Sequence, residues 1–207
     1  MYDLSPAELR VLGSLLEKQR TTPDTYPLTL NGLRAACNQA TNRDPVVQYD
    51  DETIRNALHQ LGKRRWTRLA SGHGSRAAKY RHLLEEELRL GREEQALLAA
   101  LMLRGSQTPG ELLQRTERLY HFGTAEELHA TLDRLIERDL VVRLSRRPGQ
   151  REERYAHLLG GEAPDEETEA AAAAPVSDDR LDRIERDLAD LRAQVRELRE
   201  MLTGSGQ

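Results

Sequence analysis

Residues 54–84 read IRNALHQLGKRRWTRLASGHGSRAAKYRHLL, and residues 128–159 read LHATLDRLIERDLVVRLSRRPGQREERYAHLL. The two stretches follow one plan. Ile54, Leu58 and Leu61 recur at helical spacing, and Leu128, Leu132 and Leu135 repeat them at a constant offset of 74 residues. A short β-like run comes next, Trp66 to Leu69 in the first stretch and Leu140 to Leu144 in the second. Turn-forming residues follow, Ser71-Gly72-His73-Gly74-Ser75 and Arg147-Pro148-Gly149-Gln150, and Gly72 and Gly74 suit a tight tip. Each stretch ends on a Tyr-x-His-Leu-Leu run, Tyr80 to Leu84 and Tyr155 to Leu159. A helix followed by a β-hairpin is therefore predicted twice.

Upstream of each stretch lie two more helical patterns. Ser5 to Glu8 forms a capping box with Pro6 at the first helical position, and Leu9, Leu12, Leu15 and Leu16 then share a face. Leu97, Leu98, Leu101 and Met102 repeat that face within Arg92 to Leu103, and Thr22-Pro23 matches Thr108-Pro109. The second helices carry Leu30, Leu33 and Ala36 in one half, and Leu112, Leu113 and Leu119 in the other. Three helices and a two-stranded hairpin make a winged helix-turn-helix. The expected fold is mainly α with small β-wings (α+β), a tandem of winged-helix units at 1–84 and 85–160.

The remainder of the chain differs in character. Residues 161–176 hold acidic side chains and five consecutive alanines bounded by Pro164 and Pro175, which reads as an acidic, alanine-rich flexible linker. Over 177–203, Leu181, Ile184, Leu188, Leu191, Val195, Leu198 and Leu202 alternate spacings of three and four. That is a coiled-coil seam, and it predicts a homodimer through this helix. In a parallel pair, Arg180 meets Glu185 and Asp187 meets Arg192, with no repulsive match.

The net charge of −4 conceals a separation of sign. Eight basic residues and no acidic one fall within 53–84. On the third helix of the first unit, Arg55, Asn56, His59 and Lys63 are expected to face outward, with Arg64, Arg65 and Arg68 following and Arg76 and Lys79 around the wing. In a helix-turn-helix this helix enters the major groove while the wing approaches phosphates, so duplex DNA is the expected partner. The third helix of the second unit carries Glu126, Glu127, Asp133 and Glu137, which repel a phosphate backbone. That unit reads as a packing or protein-contact module, and a non-enzymatic scaffold, similar in architecture to the tandem winged-helix proteins of chromosome-segregation complexes, is the competing reading.

No catalytic constellation emerges. The six histidines lack metal-ligand spacing, there is no glycine-rich phosphate loop, and Cys37 sits in an amphipathic pattern where a small buried hydrophobe is expected. No cofactor or metal site is expected, and no apolar run is long enough to cross a membrane.

Several strings carry a further likeness. Glu17-Lys18-Gln19, Thr21-Thr22-Pro23, Tyr26-Pro27-Leu28, Asn31, Ala36-Cys37-Asn38-Gln39, Thr41-Asn42-Arg43 and Pro45-Val46 lie in the first half. Leu103-Arg104-Gly105, Gln107 to Leu112, Arg151-Glu152 and Arg154-Tyr155 lie in the second. Over roughly 3–160 the sequence resembles the bacterial YceH-like family. The resemblance implies a tandem winged-helix fold and a cytoplasmic protein, and it brings no activity with it. The polar residues Asn31, Asn38, Gln39, Thr41, Asn42 and Arg43 serve either to hold an irregular loop by internal hydrogen bonds or to widen a recognition surface.

Overall fold

A computed structural model describes residues 2–70, 77–145 and 152–161. The hairpin tips, the linker and the heptad segment, with Arg76 and Leu181 through Leu202, lie outside the described residues. Residues 1–163 form one compact unit.

The first half runs α1 (Pro6–Thr21), a 3-10 turn (Pro23–Thr25), β1 (Leu28–Thr29), α2 (Leu30–Cys37), α3 (Asp51–Lys63), β2 (Thr67–Leu69) and β3 (Lys79–His82). A one-turn helix α4 (Leu84–Glu87) leads into the second half. There α5 (Arg92–Arg104), α6 (Pro109–Thr116), α7 (Ala125–Glu137), β4 (Val141–Leu144) and β5 (Arg154–His157) repeat the order. The described residues make a mainly helical α+β fold with two small antiparallel sheets.

Local chemistry sets the helix starts. Ser5 accepts from the Glu8 backbone while the Glu8 carboxylate accepts from the Ser5 backbone, closing the capping box with Pro6 in the first turn. Thr108 and Glu111 do the same for α6. The matched Thr22-Pro23 string serves differently. It opens the 3-10 turn, and α2 is capped instead by Thr29, whose hydroxyl accepts from Gly32. Thr29 is therefore the counterpart of Thr108, because the first half spends extra residues on β1 before its second helix.

β1 is a strand that periodicity misses, since two residues are too short to show alternation. It pairs with β3 (Leu28 with Tyr80), so the first sheet has the order β1-β3-β2. The second half keeps a vestige of this strand. Gln107 makes a single bridge to Tyr155 ahead of α6. Leu119 lies beyond the end of α6, in a turn closed onto Thr116, and packs against the core from there.

The apolar faces expected of α3 and α7 are buried as the spacing requires: Ile54, Leu58 and Leu61 in one, Leu128, Leu132 and Leu135 in the other. α1 and α5 depart from one-faced amphipathicity. Positions 10–17 of α1 and 94–103 of α5 are buried without interruption, because each helix packs on its own half and also on the other. Small residues permit the approach. A Cβ placed on Gly13 would lie 3.0–3.2 Å from Leu103 and Met102 side-chain atoms.

β3 is tied to α1 through His82. Its Nδ1 accepts from the Leu84 backbone (3.3 Å), which leaves Nε2 to donate to Gln19 Oε1 (2.7 Å) and fixes the neutral tautomer. Burial, reinforced by Arg81 and Arg20, pushes the imidazole down to about 4.

Two outcomes follow from these contacts. Gly13→Val inserts a branched side chain into the α1–α5 contact, and urea unfolding should show a loss of about 2 kcal/mol. The unfolded chain takes up a proton at His82 near pH 6.5 and the folded chain only near pH 4, so this contribution is complete above pH 6.5 and declines as pH falls through that window. Relative to His82→Gln, the parent should lose on the order of 3 kcal/mol between pH 7 and pH 4; parallel pH profiles would contradict the assignment.

Candidate nucleic-acid interface

α3 has two sharply different sides. Opposite its buried Ile54, Ala57, Leu58 and Leu61 lie Glu52, Arg55, Asn56, His59, Gln60 and Lys63, all exposed and all within one helical face. Asp50 caps the helix, its side chain accepting from Thr53 at 2.8 Å, and this hydrogen bond holds its carboxyl below the ordinary aspartate value. The first turn is acidic, yet Asp51 is paired on both sides, with Arg34 of α2 at 2.8 Å and with Arg55 at 3.5 Å. Positive potential therefore grows toward the C-terminal end of α3. Arg34 was not singled out in the sequence, where nothing marks a residue 17 positions earlier as a neighbour of Asp51.

The other expected residues distribute unevenly. Arg64, at the helix end, donates to the Asp3 carbonyl at 3.2 Å, which turns it toward the N-terminal segment. Arg65 occupies the tight turn after α3 with φ +63° and is exposed. Arg68 is exposed on β2, opposite Arg81 on β3, and Arg81 is paired with Glu86. Lys79 is half-buried on β3 opposite Thr29. Among the described residues Lys63, Arg65, Arg68 and Lys79 have no carboxylate partner. Beside Arg68, Leu69 is 59% exposed, an unusual place for a large aliphatic side chain.

The equivalent surface of the second half is built to opposite effect. The outward residues of α7 are Glu126, His129, Ala130, Asp133, Arg134 and Glu137. Its arginines are paired within the fold: Arg134 with Glu93, Arg138 with Glu94, Arg143 with Asp133 and Arg154 with Glu111.

The polar string between α2 and α3 is largely internal. Asn38 clamps Tyr49, its amide donating to the Tyr49 carbonyl (2.8 Å) and its oxygen accepting from the Tyr49 backbone (2.9 Å). Gln39 accepts from Lys18, and Asn42 accepts from Arg104. The Arg43 side chain is fully buried. It grips the Glu17 carboxylate through two hydrogen bonds of 3.0 and 2.7 Å and also donates to the Ala36 carbonyl. Burial alone raises the Glu17 carboxyl, but Arg43, with help from Lys18, outweighs it and holds the group below its ordinary value. Arg10 donates to the carbonyls of Cys37 and Pro45, which fastens the start and the middle of the loop. Cys37 itself is buried, with its thiol pushed up to about 11, so it sits there as the inert small hydrophobe its helix position predicts.

The family described as "Protein of unknown function, DUF480" matches residues 4–150. The UPF0502 protein YceH of Escherichia fergusonii is 44% identical, with 94% of this chain and 95% of that protein covered. UPF0502 proteins of Pectobacterium carotovorum (43% identical; 94% and 97% covered) and Solibacter usitatus (44% identical; 96% and 97% covered) are similar. The chain belongs to the UPF0502 family. Coverage of 94–96% of the chain carries the likeness past residue 160 and into the heptad segment, further than the strings over 3–160 reach. The strings that carry the resemblance in the sequence thus comprise both internal braces, such as Arg43 and Asn38, and exposed positions, such as Asn31 and Thr41.

No group of three His, Cys, Asp or Glu among the described residues is placed to hold a metal, and no described helix is long and apolar enough to cross a membrane. The buried Glu17–Arg43 pair generates a clear outcome. Arg43→Ala leaves the buried Glu17 carboxylate with Lys18 alone and the Ala36 carbonyl without its donor, and should cost about 3–5 kcal/mol in urea unfolding followed by Trp66 fluorescence. Arg43→Lys, which has no planar fork, should recover only part of that loss.

Proposed function

We propose that this UPF0502 chain is a non-enzymatic DNA-binding protein made of two winged-helix units, of which the first engages duplex DNA. One observation carries the reading: the outward face of α3 presents Arg55, Asn56, His59 and Lys63, whereas the same face of α7 presents Glu126, Asp133 and Glu137. Laid in the major groove, that face of α3 offers an Arg and an Asn, the side chains best suited to guanine and adenine edges. Arg68 on β2 and Lys79 on β3 lie on the hairpin that a winged helix sets against phosphates. The exposed Leu69 adds an apolar contact at the same place. Such a protein works in the bacterial cytoplasm, as a transcriptional regulator or a nucleoid-associated factor.

In this reading the heptad segment pairs two copies through Leu181, Ile184, Leu188, Leu191, Val195, Leu198 and Leu202, and tethering strengthens binding to a two-fold site without any new DNA contact. The acidic α7 face supports one further element, a protein partner for the second unit, and if DNA binding fails this becomes the scaffold reading.

Fluorescence anisotropy of the full chain with a labelled duplex, between about 50 and 200 mM salt, tests the proposal. Four to six phosphate contacts give a logarithmic salt slope of about −4 to −5. Lys63→Ala with Arg68→Ala should weaken binding to every sequence and flatten that slope by about 2, while Asn56→Ala should alter sequence preference. Absence of binding at about 50 mM salt, or equal binding by the Lys63/Arg68 variant, rejects the assignment.

A further inference from the structure

Away from α3, a cleft of about 390 Å³ opens where the two halves meet. Its polar lining comes from Glu17 and Thr21 of α1, Asn42 of the α2–α3 loop, and Arg104, Arg115 and Arg118 of the second half. Its apolar floor is Ala100, Leu103 and Leu119. The size lies in the range of small-molecule sites, and a lining that is more polar than apolar suits a charged ligand with a small apolar body.

The charges around this cleft do not balance internally. Glu17 already serves two cations, Arg43 and Lys18. The neighbouring Glu111 serves Arg115 and Arg154 and also caps α6. Thr21 donates to the Glu17 carbonyl and Asn42 accepts from Arg104, so both are engaged. Arg104 and Arg118 have no carboxylate partner among the described residues. Burial, with the like charge of Arg115, presses the Arg104 guanidinium below its ordinary value, and the nearby carboxylates of Asp44 and Glu111 only partly offset this.

We propose that this cleft binds a small organic phosphate, with the phosphoryl group on Arg104 and Arg118 and the organic body over Ala100, Leu103 and Leu119. A phosphate dianion matches guanidinium forks in both charge and geometry, which a monocarboxylate does only once. The floor favours an ester with an apolar or aromatic body over the inorganic ion. Because Asn42 bonds Arg104 and belongs to the loop that leads into α3, the ligand would sit against the segment that positions the candidate DNA-binding helix. The site itself stands on the cleft's own residues and does not depend on DNA binding.

Isothermal titration of the full chain at constant ionic strength, set with sodium chloride, is the test. The probes are phenyl phosphate, inorganic phosphate and benzoate. Phenyl phosphate should saturate one site per chain, at least tenfold more tightly than inorganic phosphate, and benzoate should give no saturable signal. Arg118→Gln, at an exposed residue with no partner to lose, should weaken phenyl phosphate several-fold, and Arg104→Gln with Arg118→Gln by at least tenfold, with Trp66 fluorescence unchanged as the check of folding. Failure of phenyl phosphate to saturate, equal binding by the folded variants, or benzoate binding as tightly would overturn the proposal. Variants that lower duplex binding tenfold while phosphates fail to saturate would assign the cleft to the DNA surface instead, which also overturns it.

Discussion

Within residues 1–163, helices α1 and α5 make the most extensive contact between elements, and α2, α3, α6 and α7 each pack on one or the other of them. Each is the innermost helix of its own half, so their union merges what would be two small cores into one continuous apolar cluster. Gly13 sets how closely they approach. Among the described residues, two backbone hydrogen bonds also join the halves: Leu4 donates to the Leu159 carbonyl at 2.9 Å, and Asp44 donates to the Leu103 carbonyl at 2.9 Å. Three-helix units of this size bury little apolar surface alone, and fusing them raises the buried fraction of both.

This arrangement bears directly on the proposed interface. α3 is reached through a loop of thirteen residues, 38–50, long enough to require internal bracing. Its braces come from both halves. Arg43 holds Glu17 of α1, Asn38 holds Tyr49 beside the start of α3, and Asn42 and Asp44 bond to Arg104 and Leu103 at the end of α5. The acidic second half, which presents no basic helix face of its own, thereby helps to orient the basic face of the first. A single chain can in this way carry two similar units and use them for different tasks.

Much of this was readable in the sequence. The repeat of Ile54, Leu58 and Leu61 at Leu128, Leu132 and Leu135 located the third helices, and the Tyr-x-His-Leu-Leu runs located the returning strands. The Ser5–Glu8 capping box stands as its spacing indicates. What was hidden has physical causes. The burial of α1 and α5 on several sides leaves no single apolar stripe, because Gly13, Ser14, Ala96, Ala99 and Ala100 supply contact through smallness more than through hydrophobicity. β1 is too short to show a period. For the candidate interface, periodicity found the outward face of α3 but could not show that Arg81 is paired with Glu86 or that Arg34 neutralises Asp51. The cleft near Arg104 and Arg118 was invisible for the same reason, since it joins residues from α1, the α2–α3 loop, α5, α6 and the turn after α6 that no local pattern connects.

The two halves form one cooperative body held by α1 and α5. Native-state hydrogen exchange of the full chain, across a series of low urea concentrations, tests it most directly. The amides of Leu12 and Leu15 in α1 and of Leu97, Leu98 and Leu101 in α5 should open with the same free energy and the same urea dependence, equal to those of global unfolding. Opening of α5, α6 and α7 at a distinctly lower free energy, with α1 still protected, would show two independent units and contradict it.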